Sequence, residues 1–238
     1  SGKCKIMHFG KQNPKKKYFI TNDKTKVELE STEVEKDLGV MVSSDGRNSR
    51  QVEAAVSKAN RALRKTFKFF NIKLFKLLYP AFVRTHLEFA SAVWNSMSKK
   101  EKGKLEGIQK RATKMVIELR GMEYEERLKE LGLTSLENRR KRGDLLQIYK
   151  ITKGFEKVEL GLENIGEYGG EKRRHNYQLR KEKTVNTPMR DNFLLNRNAT
   201  TWNMLPSDIA EADTVNQFKA RIDRHMASET WRRSVYRI

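Results

Sequence analysis

The stretch 73-KLFKLLYPAFVRTHLEFASAVWN-95 decides how the rest of the chain is read. Leu74, Leu77, Leu78, Ala81, Phe82, Phe89, Ala92, Val93 and Trp94 fall on more than one side of a helical wheel. A helix apolar nearly all round belongs inside a protein, with other helices against several of its faces. Pro80 lacks a donor and crowds the preceding turn, so a kink or break is expected there. The neighbouring segments carry one apolar face each and read as the layers that cover this one.

Upstream, a helix is expected from about Asn48 to Phe70, with Val52, Ala55, Val56, Ala59, Ala62, Leu63, Phe67 and Phe70 on one stripe. Lys58, Arg61, Lys65 and Lys68 recur at spacings of three, four and three, a line of cations along the other face. Such a line is either an ordinary solvated face or a contact for phosphates. No acid is interleaved on it, and the mutual repulsion favours the phosphate reading. Downstream, Ser98 and Glu101 form a capping box opening a helix with Leu105, Ile108, Ala112, Met115, Val116 and Leu119 inward. Lys104, Lys110, Arg111 and Lys114 face outward. Gly103 and Gly107 lower helix propensity but leave room for another backbone to come close. Three helices joined by short loops make a compact bundle over 47–121.

Residues 1–46 read as a small antiparallel β element. KCKIMHFG (3–10) alternates like a strand, Tyr18–Ile20 and Lys26–Leu29 are short strand candidates, and Val34–Val42 is interrupted at Gly39 before a turn at 43–46. With too few residues for its own core, this element leans on the helices. Residues 122–154 read as a basic helical pair. A short helix ends at Gly132, and Thr134 with Glu137 caps a second that stops at Gly154. Arg139, Arg140, Lys141 and Arg142 crowd the second helix's first turns, where cations oppose the dipole. A cost carried there favours a functional role. Residues 155–172, rich in glycine and acids, read as a linker. In 173–238 a basic run includes Arg173, Arg174 and His175, and the latter could touch phosphate. A strand over 176–185 follows, then a helix over 192–204, a turn at Pro206, and a last helix capped by Thr214 with Val215, Phe218, Ile222 and Met226 inward. The fold class is thus mainly α with a small N-terminal β element.

The 238 residues carry 50 Lys and Arg against 30 Asp and Glu, a net charge of +20. A basic excess of that size points to a polyanionic partner, most often nucleic acid. A lone cysteine, Cys4, cannot form an intramolecular disulfide, which fits a reducing, intracellular setting, nuclear and cytoplasmic. No run approaches the ~18 apolar residues of a membrane span, so no membrane partner is expected. The chain opens abruptly at Lys3-Cys4-Lys5 after Ser1-Gly2, as a piece of something longer would.

Chemistry-bearing patterns are sparse. No phosphate loop or nucleophile elbow occurs, and the aspartates are scattered without the converging pair that two-metal chemistry needs. Cys4 and His8 are too few for a metal site, and His86 between Arg84 and Glu88 reads as structural. No catalytic residue, metal or cofactor is expected, and without paired aspartates the chain is not expected to act as an enzyme on its own.

The ordered series KCKIMHFG (3–10), EKDLGVMV (35–42), LLYPAFVRTHLEFASAVWN (77–95), LEGIQKRATKM (105–115), YEERLKELGLTSLENRRKRGDLLQIYKITKG (124–154) and WNMLPSDIAEADTVNQFKARID (202–223) resembles the C-terminal part of LINE-type (non-LTR) retrotransposon reverse transcriptases of the jockey and chicken-repeat group. The likeness spans nearly the whole chain and is weakest over 155–172. It implies that 1–46 is a palm remnant whose hairpin, with Leu38, Gly39 and Val40, resembles the primer grip. The three-helix bundle would be thumb-like, holding the backbone of an RNA/DNA primer–template duplex during target-primed reverse transcription, and the second helical region would grip template or target. The upstream palm and fingers, which in the family carry the paired aspartates, would be the partner. Two departures stand out: Lys172-Arg173-Arg174-His175 where relatives read Thr-Arg-Gly-His, and Thr85 where a proline usually follows the Val-Arg pair. The alternative is a helical protein-interaction module derived from such an element, its basic faces meeting an acidic protein.

Overall fold

A computed structural model describes residues 4–10, 12–22, 25–66, 71–95, 98–158, 175–183, 188–228 and 231. The chain divides into two compact units, Ser1–Phe89 with Met97–Met122, and Ala90–Ser96 with Glu123–Ile238. The expected pair of regions 122–154 and 173–238 therefore belongs to one unit, and the β element belongs with the bundle.

In the first unit the strands are short. β1 (Lys5–Ile6) pairs in parallel with β4 (Glu30–Ser31), β2 (Phe19–Asn22) and β3 (Thr25–Glu28) form one hairpin, and β5 (Val34–Asp37) and β6 (Val40–Ser43) another. The element is thus three two-stranded ribbons, one of them parallel, where a wholly antiparallel arrangement was expected. Gly39 reverses the chain into a hairpin. Leu38 and Gly39 both have positive φ, +44° and +89°, which is the backbone of a two-residue I′ turn. A Cβ on Gly39 would also sit 3.1 Å from the Phe89 ring, so two constraints meet at this glycine. The β5–β6 ribbon is tied to the helices by the Met41 N–H, which donates to Gln51 Oε1 at 2.9 Å.

α1 (Ser49–Thr66) buries Val52, Ala55, Ala59 and Leu63, with Val56 and Ala62 half-buried. Phe67 and Phe70 lie outside the described residues. The central stretch does not stay one helix. α2 (Ile72–Leu78) runs into a π-helical turn at Tyr79–Arg84, then α3 (Thr85–Glu88). Pro80 sits in that π turn, where a wider ring absorbs the missing donor. The helix ends for good at Phe89, with extended ψ, and at Ala90, whose left-handed φ of +49° starts α4 (Ser91–Trp94). Nor is the stretch enclosed. Phe75, Tyr79, Val83 and Leu87 are buried on one side, while Leu77 is 69% and Phe82 51% exposed. The wheel sums apolar residues over a continuous helix, whereas α1 and α5 (Lys99–Lys114) cover only one flank. On that flank the buried Tyr79 hydroxyl donates to Gln109 Oε1 at 2.7 Å, which lets two polar groups share the core.

α5 opens with the expected Ser98–Glu101 capping box. It buries Leu105, Ile108 and Ala112, and continues through Val116 to a 3₁₀ turn at Ile117–Leu119. Glu101 also accepts from the Ser49 hydroxyl at 2.6 Å. Burial pushes its carboxyl up, but the hydrogen bonds from Ser49 and Ser98 outweigh that and hold it below the ordinary value. Gly103 and Gly107 meet no close backbone: an added Cβ would find nothing within 4 Å.

The second unit is built from α6 (Tyr124–Leu131), α7 (Leu136–Thr152), α8 (Pro188–Asp191), α9 (Leu194–Asn203), α10 (Ser207–Ala210) and α11 (Val215–Ala227), with α4 among them. Gly132 closes α6 in the left-handed region. The hydroxyl that caps α7 is Ser135, accepting from Asn138 N–H, one residue past the expected Thr134. Thr214 caps α11 as read. Tyr149 and Phe218 stack at its centre with Trp202 tilted against Phe218, and Leu145, Ile148, Leu205 and Ile222 surround them. Asp144, 1% exposed, is the polar knot. It accepts from Arg197 at 3.0 and 3.1 Å, from Asn95 at 2.8 Å and from Asn198 at 3.1 Å, so a carboxylate costly to bury is fully partnered. Arg197 reaches on to the Ala92 carbonyl at 2.7 Å, holding α4 to α7 and α9. Among the described residues of 176–183 only Leu179 takes β form, as a single bridge, short of the strand expected. The Asn203 side chain holds the same residue from α9: its Oδ1 accepts from Leu179 N–H and its Nδ2 donates to Leu179 O, both at 2.8 Å.

Gly103→Ala and Gly107→Ala should each raise stability by roughly 0.5–1 kcal/mol, because the helix gains propensity and the new methyl meets nothing. Chemical denaturation of the two variants measures this directly, and a loss at either site would mean the space is occupied.

Candidate nucleic-acid interface

Two adjoining grooves run along α1 and α5 in the first unit. One, of about 650 Å³, is flanked by Arg61, Arg64 and Lys65 of α1 and by Lys104 of α5, with Glu53, Ser57 and Asn60 between them. The other, of about 560 Å³, is walled by Arg64, Arg111 and Lys114 over Leu63 and Met115. Asn60 and Arg64 line both, so the two form one track. The buried stripe of α1 dictates this arrangement. With Val52, Ala55, Ala59 and Leu63 turned to the core, positions 61, 64 and 65 must point outward beside α5.

The charges on this track are held differently. Arg61, Arg64, Lys65 and Lys114 are exposed and make no ion pair among the described residues. Arg111 donates to Asn60 Oδ1 at 2.8 Å, which fixes its guanidinium across the groove while leaving other donors outward. Lys104 lies 3.6 Å from Glu53, the single carboxylate among the described residues that line the track. Exposed cations in two rows with an acid at one end can bind a chain of phosphates. Hydrogen-bonded guanidinium groups suit phosphate oxygens better than mobile ammonium groups do.

Of the cations read from sequence, Arg61, Lys65, Arg111 and Lys114 are brought together here. Lys58 is exposed on α1 but lines neither groove, and Lys110 is exposed on α5 outside them. Lys68, Arg173 and Arg174 lie outside the described residues. The run 139–142 is in the other unit and is largely occupied. Arg140 is 3% exposed, with its guanidinium 4.5 Å over the Trp94 ring, so packing explains its place near the start of α7. Arg142 is clasped by Asp223, its Nη2 donating to Oδ2 at 2.8 Å, and Arg139 and Lys141 are half-buried. Leu38 stands at the β5–β6 turn, 90% exposed, while Val40 is buried.

Arg64 and Asn60 were missed because a wheel ranks residues by stripe. Arg64 falls one step off the 58–61–65 line, and its value comes from α5 alongside. Met115, read as an inward residue, is half-buried and lines the groove.

His175 is not on a surface where phosphate could reach it. It is buried edge-on to Trp202, its Nδ1 accepting from Tyr177 N–H at 3.2 Å and its Nε2 set 3.0 Å from the Trp202 carbonyl. Burial pushes its pKa below the ordinary value, against the Trp202 carbonyl and Glu211. Among the described residues no group of three or more His, Cys, Asp or Glu side chains is placed to hold a metal ion, and no helix is long and apolar enough to cross a membrane.

Comparison of the chain with models of known protein families, with curated proteins and with solved structures gave no match.

A buried neutral histidine makes stability depend on pH. The unfolded chain takes up the proton first, so the contribution of His175 is present above about pH 6.5 and is lost as pH falls toward its lowered folded value. His225, also lowered by burial, adds in the same direction. Denaturation across pH 5–7.5 should give stability rising with pH, with a shallower rise in His175→Gln. An identical slope in the variant would remove His175 from that role.

Proposed function

We propose that this chain is a non-catalytic nucleic-acid-binding part of a non-LTR retrotransposon reverse transcriptase, with the α1–α5 track holding the phosphate backbone of a primer–template duplex. The observation that carries this reading is the convergence of Arg61, Arg64, Lys65, Arg111 and Lys114, from two helices, on one continuous groove. The ordered motifs of the sequence and the net charge of +20 support it. Nucleotidyl transfer is assigned to a separate palm and fingers, the expected partner of this chain.

Mechanistically, each phosphate neutralised releases condensed counterions, so affinity falls with salt and depends little on sequence. Among the described residues that line the track there is no aromatic side chain on which bases could stack in series, which favours a backbone contact over a single-strand stacking platform. Glu53 opposes the ligand at one end, since it competes with phosphate for Lys104.

Fluorescence anisotropy with an RNA–DNA duplex over a salt series tests the reading. Replacing Arg61, Arg64, Lys65, Arg111 and Lys114 by Gln should flatten the log–log salt slope by about 0.9 for each phosphate that is no longer neutralised. Lys58→Gln should change little, and Glu53→Gln should tighten binding several-fold. An unchanged slope in the five-fold variant rejects the track. Binding of an acidic protein with no binding of duplex would favour the protein-interaction module instead.

A further inference from the structure

The two ends of the track are built differently, and the difference has a chemical meaning. Around Lys104 the groove offers cations, a hydroxyl and a carboxylate, with Val56 its one aliphatic side chain. Around Lys114 it has an apolar floor, Leu63 from α1 and Met115 from the C-terminal cap of α5, under a rim of Arg64, Arg111 and Lys114. A phosphate has no apolar surface to lay on such a floor. An anion carrying a flat ring has one: the ring covers the isobutyl and thioether groups while its phosphate meets the rim.

We infer that the Leu63–Met115 lobe takes the base of one unpaired nucleotide adjoining the duplex whose backbone follows the rest of the track. The inference rests on the backbone-binding reading above and names a second kind of contact within it. Three features carry it. The volume, about 560 Å³, falls in the range of clefts that enclose small organic ligands. The Met115 sulfur is polarizable and the guanidinium planes of Arg64 and Arg111 lie at the rim, and both groups associate with aromatic faces. The Arg111 bond to Asn60 Oδ1, at 2.8 Å, leaves the Asn60 Nδ2 as a donor at the edge of the lobe for a ring or sugar acceptor. Bases inside a duplex have both faces covered by their neighbours, so the base that enters must be unpaired. Since Asn60 and Arg64 line both lobes, a strand can pass from one to the other without leaving the cations.

Three duplexes of equal length separate the possibilities: blunt, with a one-nucleotide overhang, and with an abasic overhang of the same charge. In anisotropy titrations at one salt concentration, the base-bearing overhang should bind about fivefold tighter than the abasic one. That is the low end of what stacking on an aromatic gives, as suits an aliphatic floor. Met115→Gln, at a half-exposed cap, should abolish the base-against-abasic difference and leave the salt slope intact, with circular dichroism verifying the fold. Equal affinity for the two overhangs in the unaltered chain, with the salt slope preserved, overturns the base lobe alone. A difference that survives in Met115→Gln also overturns it. Absence of salt-dependent binding to all three duplexes overturns the backbone reading and the lobe together.

Discussion

Ser49 donates a 2.6 Å hydrogen bond to the same Glu101 carboxylate that closes the cap of α5. Two helices far apart in sequence therefore start in register, side by side. From that point their inner faces, Val52, Ala55, Ala59 and Leu63 on one and Leu105, Ile108 and Ala112 on the other, are committed to a shared core. Their outer faces are then forced to run alongside each other, and both are basic. The track exists because apolar burial fixes which way the remaining positions point, and burial is worth far more than the repulsion among exposed cations.

The same logic separates cations that can meet a ligand from those that serve the fold. Arg140 over Trp94, Arg142 with Asp223 and Arg197 with Asp144 each commit their charge within the second unit. A guanidinium that is stacked or doubly hydrogen-bonded at a half-buried site would have to give up those partners to bind a phosphate. The cations of the track give up little, since Arg61, Arg64, Lys65 and Lys114 make no ion pair among the described residues. The count of 50 Lys and Arg therefore overstates the cations open to a ligand.

Local chemistry written in short sequence windows was legible. The Ser98–Glu101 and Thr214–Gln217 caps, the stop at Gly132 and the disturbance at Pro80 each depend on a residue and neighbours within a turn. The near misses share one cause. Thr134 and Ser135 both offer a hydroxyl at the start of α7, and only the chain's entry angle selects Ser135. Segment 176–183 has strand-like residues, yet its β pairing stops at a single bridge at Leu179, and the Asn203 and Asn196 side chains of α9 accept from the Leu179 and Glu182 N–H groups instead of a longer partner strand.

By itself the sequence determined that the chain is mainly helical, where α5, α6 and α11 begin, where α6 and α7 end, and that α1 turns cations to one side, because these follow from propensity, capping and periodicity within a few turns. Only the tertiary structure decided that the central stretch is covered on one flank and broken at Ala90, and that Arg64 and Asn60 belong to the basic track. It also decided that Arg140 and His175 are buried. Those outcomes depend on which surfaces come together across dozens of residues, and a side chain's environment is set by its neighbours in space, which no local pattern encodes.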